Sequence, residues 1–124
     1  MAVILVVEDN DLNMELVTDV LEMHGHTVRQ AWTAEEGLEI AAAERPDLIL
    51  MDLHLPRMDG RTAVKQLKAD PATRSIPTFA LTADTMLGDE QAALDAGFDG
   101  FLTKPIDVRT FRTDIETALT RRPG

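Results

Sequence analysis

The sequence predicts an α/β sandwich: a parallel sheet with helices on both faces. Three observations predict it. Short unbroken aliphatic and β-branched runs recur along the chain, beginning with "VILVV". Continuous rather than alternating apolar strands are buried on both faces, as in a parallel sheet. Between the runs lie stretches with apolar residues at helical spacing, so that β-α repeats five times. The chain has 124 residues, 44% of them apolar, enough for one domain around one core.

The elements follow in order. "VILVV" is a strand over Val3–Val7. Leu12, Leu16, Val20 and Leu21 then form one apolar stripe on a first helix. Asn10 or Asp11 caps its start, and Gly25 stands where a left-handed C-terminal residue is expected. "TVRQA" (Thr27–Ala31) alternates, which suits a strand nearer a sheet edge. A second helix spans Ala34–Glu44, and Pro46 forbids much extension. "DLILM" (Asp47–Met51) is the third strand. Gly60–Ala69 carries Ala63, Val64 and Leu67 on a third helix, ending before "DPATRSIP". "TFAL" (Thr78–Leu81) is the fourth strand, and Thr85–Ala96 the fourth helix, stopped by Gly97. "GFLT" (Gly100–Thr103) is the last strand. Val108, Phe111, Ile115, Ala118 and Leu119 give the final helix its apolar face, with Asp107 as cap. Right-handed crossovers join the strands.

Composition narrows the function. Twelve basic against 22 acidic residues leave a net charge of -10. That argues against nucleic acid as a direct partner, because neutralising phosphates takes Lys and Arg. With no cysteine, disulfides and thiolate metal sites are excluded. No apolar run reaches membrane-spanning length and no basic-then-apolar leader opens the chain, so a soluble cytoplasmic domain is expected. Residues 1–124 read as one domain with no repeat or linker, "RRPG" being a short tail.

In sheets of this kind ligands sit beyond the carboxyl ends of the strands. Glu8 and Asp9 follow the first strand, Asp52 the third, Thr82 the fourth, and Lys104 and Pro105 the fifth. An acid after a strand is, taken singly, an ordinary cap or turn residue. Together these residues all fall on one edge of one sheet. If the first, third, fourth and fifth strands are neighbours, they converge on one pocket. Three crowded carboxylates repel one another, and a divalent cation relieves that. An all-oxygen donor set with few carboxylates suits Mg²⁺. A carboxylate is also a nucleophile that can form an aspartyl phosphate. Lys104 would neutralise charge on a transferring phosphoryl group, and the Thr82 hydroxyl could donate to it.

These motifs resemble those of response-regulator receiver domains over essentially the whole chain. "VVEDN" matches the acidic pair, "LILMDLHLPRMDG" the phosphoacceptor segment, "ALTA" the switch hydroxyl and "FLTKP" the lysine-proline pair. "EDNDLN" resembles the subgroup found as single-domain regulators and as receivers of hybrid kinases. The resemblance implies a flavodoxin-like five-stranded parallel sheet in the order 2-1-3-4-5. It implies that Asp52 accepts a phosphoryl group from a sensor histidine kinase or a histidine phosphotransfer protein. Asp9, Asp52 and the backbone carbonyl of His54 would ligate Mg²⁺, with Glu8 contributing through water. Lys104 would pair with the phosphoryl group, Thr82 would move toward it, and Phe101 would change rotamer. The Lys104–Pro105 bond would be cis. His54 and Asp84, two residues beyond Asp52 and Thr82, stand where the family tunes hydrolysis of the aspartyl phosphate. Phe101 lacks the hydroxyl of the tyrosine often found there.

The expected switch couples the pocket to the fourth helix, the last strand and the last helix. Gly88 is consistent with mobility in that helix, and equally with a helix that simply tolerates a glycine. Asn13 and Met14 are candidate exposed positions for docking the phosphodonor, although Met14 reads equally well as half-buried core. No DNA-binding module follows Pro123, so output to a downstream protein effector is expected, from a monomer or a weak phosphorylation-dependent dimer. Beyond self-phosphorylation and self-dephosphorylation, no enzymatic activity is expected. The rivals are weaker. A flavodoxin-like cofactor binder needs a phosphate cradle where this chain has Glu-Asp-Asn-Asp, and no GxGxxG occurs. An aspartyl phosphatase usually has an acid two residues beyond its nucleophile, where this chain has His54. A pseudo-receiver that binds partners unphosphorylated would not need the chemical positions, and all are intact. His24, His26, Trp32, Met51 and Met58 read as structural.

Overall fold

The computed structural model describes residues 2–82, 87–103 and 108–120, with the backbone alone at 87–90, 103 and 108. Ten elements alternate: β1 Val3–Val7, α1 Asp11–Met23, β2 Thr27–Ala31, α2 Ala34–Glu44, β3 Leu48–Asp52, α3 Gly60–Ala69, β4 Thr78–Thr82, α4 Leu87–Ala96, β5 Gly100–Thr103 and α5 Val108–Thr120. The strands form one parallel sheet in the order β2-β1-β3-β4-β5. The alternating strand β2 lies on an edge, as its sequence predicts.

The order has a reversal in it. The chain moves outward from β1 to β2, then returns past β1 to β3 and continues one way. Crossovers of one hand therefore place α1 on one face and α2, α3 and α4 on the other. The cores show this split. Ile4, Val6, Leu48, Leu50, Phe79 and Leu81 pack with Met14, Val17 and Leu21 of α1 and Phe111 and Ile115 of α5. Leu5, Val7, Ile49, Met51 and Ala80 pack with Ala41, Ala63, Val64 and Ala93. Successive strand residues point to opposite faces, which is why the strands read as unbroken apolar runs.

Caps fix the helix ends. The Asn10 side chain accepts from the Asn13 amide at 3.0 Å, so Asn10 is the cap of α1. Gly25, at φ +86°, follows α1, and the amides of Gly25 and His26 donate to the carbonyls of Glu22 and Leu21. That is a Schellman ending, which needs the left-handed region that glycine enters freely. Thr33 caps α2, and Arg45, at φ 46°, ends it just before Pro46.

Three expectations need correction. Leu12 and Leu16 do not belong to the buried stripe of α1: they are 77% and 37% exposed, while Met14, Val17, Val20 and Leu21 face the sheet. Both sets satisfy helical spacing, and packing on the sheet selects the second. Met14 is therefore core rather than an exposed docking position, and Asn13 is half-buried. Asp47 lies just outside β3 and instead accepts from the Val3 amide at 2.9 Å, while Asp52 is the last residue of the strand. Residues 85 and 86, read as the start of the fourth helix, lie outside the described residues, as does the cap residue Asp107.

Candidate phosphoacceptor site

The switch point, where strand order reverses between β1 and β3, is where an open α/β sheet leaves a crevice. Val7 pairs in register with Met51. The next positions along are Glu8 and Asp52, side by side. Glu8 is fully buried, with its amide bonded to the Ala31 carbonyl at 3.0 Å. Its Oε1 accepts from the Asn10 amide at 3.1 Å, at the mouth of α1. Asp9, next along, is exposed. Asp52 is buried, and its Oδ1 accepts from the His54 amide at 3.0 Å, which fixes the rotation of the carboxylate.

Carboxylate oxygens of Glu8, Asp9 and Asp52 all lie within 4.8 Å of one another. Oxygens bound to one Mg²⁺ at about 2.1 Å stand no more than about 4.2 Å apart. The cluster therefore fits such an ion after a small contraction, or with one ligand acting through water. The donors are hard oxygens only, with one acid open to solvent.

The β3–α3 loop is held against the acceptor. Gly60 opens α3, and its amide donates to the Leu53 carbonyl at 3.0 Å. A Cβ at Gly60 would clash with the Asp52 carbonyl and sit 3.1 Å from the Leu53 Cα. Only a residue without a side chain allows this approach. Asp59 caps α3 through a 2.7 Å bond from the Arg61 amide. Burial pushes the Asp59 carboxyl up. Hydrogen bonds from the Arg61 side chain and amide, and the arginine charge, outweigh that and hold it below the usual value.

On the other side stands Thr82. It is almost fully buried, and its hydroxyl has no hydrogen-bond partner among the described residues. An orphaned buried hydroxyl is uncommon in a folded protein. Ala80 pairs in register with Phe101, two residues before Thr82, so Thr82 and the half-buried Phe101 share one face of the sheet. Phe101 packs against the core shared by α2, α3 and α4.

Of the sequence-predicted site residues, the fold brings together Glu8, Asp9, Asp52 and the backbone of His54, with Thr82 at the end of the neighbouring strand β4. The His54 side chain is exposed. Lys104, Pro105 and Asp84 lie outside the described residues, and with them the expected cis bond. His24 and His26 sit in the turn at the far end of the sheet; Nδ1 of His26 accepts from the Ala2 amide at 3.2 Å, and burial lowers its pKa below the usual histidine value. Three groups around the acids carried no signal of their own in sequence reasoning: the amides of His54 and Asn10, and the close approach of Gly60.

The family model for the response regulator receiver domain matches residues 4–116. This chain is a response-regulator receiver domain. The polar-differentiation response regulator DivK of Brucella anthropi is 40% identical over 116 residues, covering 94% of both chains. A response-regulator structure from Chloroflexus aurantiacus superposes with a TM-score of 0.93 at 31% identity, over 97% of this chain and 98% of that one. The receiver domain of a Pseudomonas aeruginosa sensor histidine kinase superposes with a TM-score of 0.88 at 31% identity, over 95% and 97%. That structure holds a magnesium ion coordinated in its active-site cleft. Receiver domains are the switches of two-component signalling, and the five-stranded order found here is theirs. No described helix is long and apolar enough to cross a membrane.

Proposed function

We propose that this receiver domain takes a phosphoryl group onto Asp52 from the phosphohistidine of a sensor kinase or phosphotransfer protein, and that this changes its contacts with a protein effector. The carrying observation is the convergence of Glu8, Asp9 and Asp52 at the switch point, with the buried Thr82 hydroxyl on β4, which has no partner among the described residues. In the transfer an Asp52 oxygen bonds to phosphorus as the phosphorus–nitrogen bond of the donor breaks. Glu8, Asp9, Asp52 and the His54 carbonyl would hold Mg²⁺, which supplies charge neutralisation to the transferring group. The His54 amide keeps the nucleophile oriented.

Phosphorylation adds roughly two negative charges and new acceptor oxygens. The Thr82 hydroxyl then donates to a phosphoryl oxygen, and Lys104, following β5 in sequence, pairs with the same group. Phe101, on the face Thr82 shares, fills the space that Thr82 leaves. Output passes through α4, β5 and α5 to protein rather than to nucleic acid, consistent with the net charge of -10. The domain works in the cytoplasm, as a monomer or a weak phosphorylation-dependent dimer. A receiver of a hybrid kinase is the second reading, favoured by the likeness to receivers of histidine kinases from Pseudomonas aeruginosa and Syntrophus aciditrophicus. Incubation with Mg²⁺ and acetyl phosphate tests the acceptor. The intact mass should rise by one phosphoryl group in the wild type and not in Asp52→Asn. Equal labelling of both would overturn the assignment.

A further inference from the structure

A cavity of about 520 Å³ opens at the amino ends of β3 and β4, at the far end of the sheet from Asp52. That volume is within the range of small-molecule sites. Pro46, Ile76 and Pro77 line it and are buried, which gives it an apolar floor. The exposed Arg45 and Ser75 and the half-buried Asp47 line it too. Its walls are held by the backbone. The Asp47 amide donates to the Val3 carbonyl at 2.7 Å, and the Ile49 amide to the Pro77 carbonyl at 2.9 Å. Lys68 Nζ, paired with Asp99 at 2.8 Å, also donates to the Ile76 carbonyl at 3.0 Å. The cavity is therefore preformed, and an occupant does not have to order it. Arg45 is the unusual residue. It holds a left-handed φ of 46°, where glycine would sit without strain. A strained residue that is not glycine points to a use for its side chain. The acids beside it are committed elsewhere: Glu44 pairs with Arg29 at 2.6 Å, and Oδ2 of Asp47 accepts from the Val3 amide at 2.9 Å. Acids outnumber bases 22 to 12 in this chain. Yet neither Arg45 nor the exposed Arg74, next to Ser75, has an ion-pair partner among the described residues.

We propose that this cavity binds a small organic acid with a flat aromatic body and a single carboxylate. The planar guanidinium of Arg45 takes the carboxylate through two parallel hydrogen bonds. The ring lies on Pro46, Ile76 and Pro77, which removes apolar area from water. The Ser75 hydroxyl is a further donor to the anion. Asp47 limits the charge that the site accepts. One carboxylate fits beside Arg45, whereas a polyanion such as a nucleotide meets the Asp47 carboxylate and the net charge of -10. An amine in place of the carboxylate meets the guanidinium. Arginine at position 45 thus favours binding over stability, an exchange common at functional sites. The site lies at the other end of the sheet from the acceptor and does not depend on its chemistry.

Three compounds with one ring test this against the ¹⁵N-labelled full chain by amide chemical-shift titration: indole-3-acetate, its neutral amide and tryptamine. Indole-3-acetate should shift the amides of Arg45, Asp47, Ser75 and Ile76 saturably. It should bind about tenfold more tightly than the amide, as a charge-assisted pair requires, and tryptamine should not bind. Arg45→Gly should weaken indole-3-acetate by about tenfold or more while the melting temperature rises, so that lost binding is not lost folding. Arg45→Lys, which keeps the charge without the planar fork, should fall between the two. Asp52→Asn should bind as the wild type does, so a failed binding result leaves the acceptor assignment standing. Equal binding of the three compounds, shifts centred on other residues, binding that survives Arg45→Gly, or binding lost in Asp52→Asn would overturn the proposal.

Discussion

Replacing Thr82 by Val should make the unphosphorylated protein more stable and the switch less responsive. Valine keeps the β-branched shape and removes only the hydroxyl. That hydroxyl is buried and has no partner among the described residues. Burying such a group unpaired costs about 1–3 kcal/mol, whereas a satisfied one would lose about 1 kcal/mol on removal. The sign of the change therefore reads out the state of the hydroxyl directly. A gain of about 1 kcal/mol is expected after allowance for small repacking around the new methyl group. Urea unfolding followed by circular dichroism measures it: the midpoint should rise with the slope unchanged. For a domain of this size the melting temperature should rise by roughly 3–5 °C. Beryllofluoride with Mg²⁺, mimicking the phosphoryl group, should stabilise the wild type more than Thr82→Val, because only the wild type has a hydroxyl to donate. A variant destabilised by 1 kcal/mol or more would show that the hydroxyl is already satisfied, and the switch argument built on it would fail.

Other positions give independent expectations. Gly60→Ala should lower stability by about 1–3 kcal/mol, because the new methyl group meets the backbone of Asp52 and Leu53 rather than a yielding side chain; thermal unfolding measures this, and the initial rate of labelling by acetyl phosphate should fall with it. Arg45→Gly should stabilise by about 1 kcal/mol, since Arg45 holds a left-handed φ of 46° at the end of α2 that glycine adopts without strain; a fall in the urea midpoint would contradict this. Asp59→Ala should cost about 1 kcal/mol through loss of the α3 cap. The folded-state pKa of Asp59 is depressed, so its contribution is present above the unfolded carboxyl value and is lost as pH falls through the folded one. The difference between wild type and Asp59→Ala in urea unfolding should therefore begin to shrink as pH drops below the unfolded carboxyl value of about 4, and go on shrinking as it falls through the lower folded one.

Much of this was legible in the sequence, for a physical reason. Strands buried on both faces cannot hide their boundaries, so Glu8, Asp52 and Thr82 stood out as the first polar residues after apolar runs. Side-chain alternation then placed Glu8 and Asp52 side by side once β1 and β3 were neighbours. The neighbour relation itself came from the resemblance, because spacing does not fix strand order. Helix α1 was less legible. Its apolar residues suit two stripes that share Val20 and Leu21, and periodicity does not choose between Leu12 with Leu16 and Met14 with Val17. Contact with Ile4, Val6 and Leu50 makes the choice. Backbone donors were not legible at all: the amide of His54 would serve Asp52 whatever side chain position 54 carried.

The central claim is that one particular carboxylate takes the phosphorus. Borohydride reduction after labelling with acetyl phosphate converts an aspartyl phosphate to homoserine, and peptide mass spectrometry then locates it. The account predicts homoserine at position 52, formed only when Mg²⁺ is present. Homoserine at another acid, or a yield at position 52 indifferent to Mg²⁺, would contradict it.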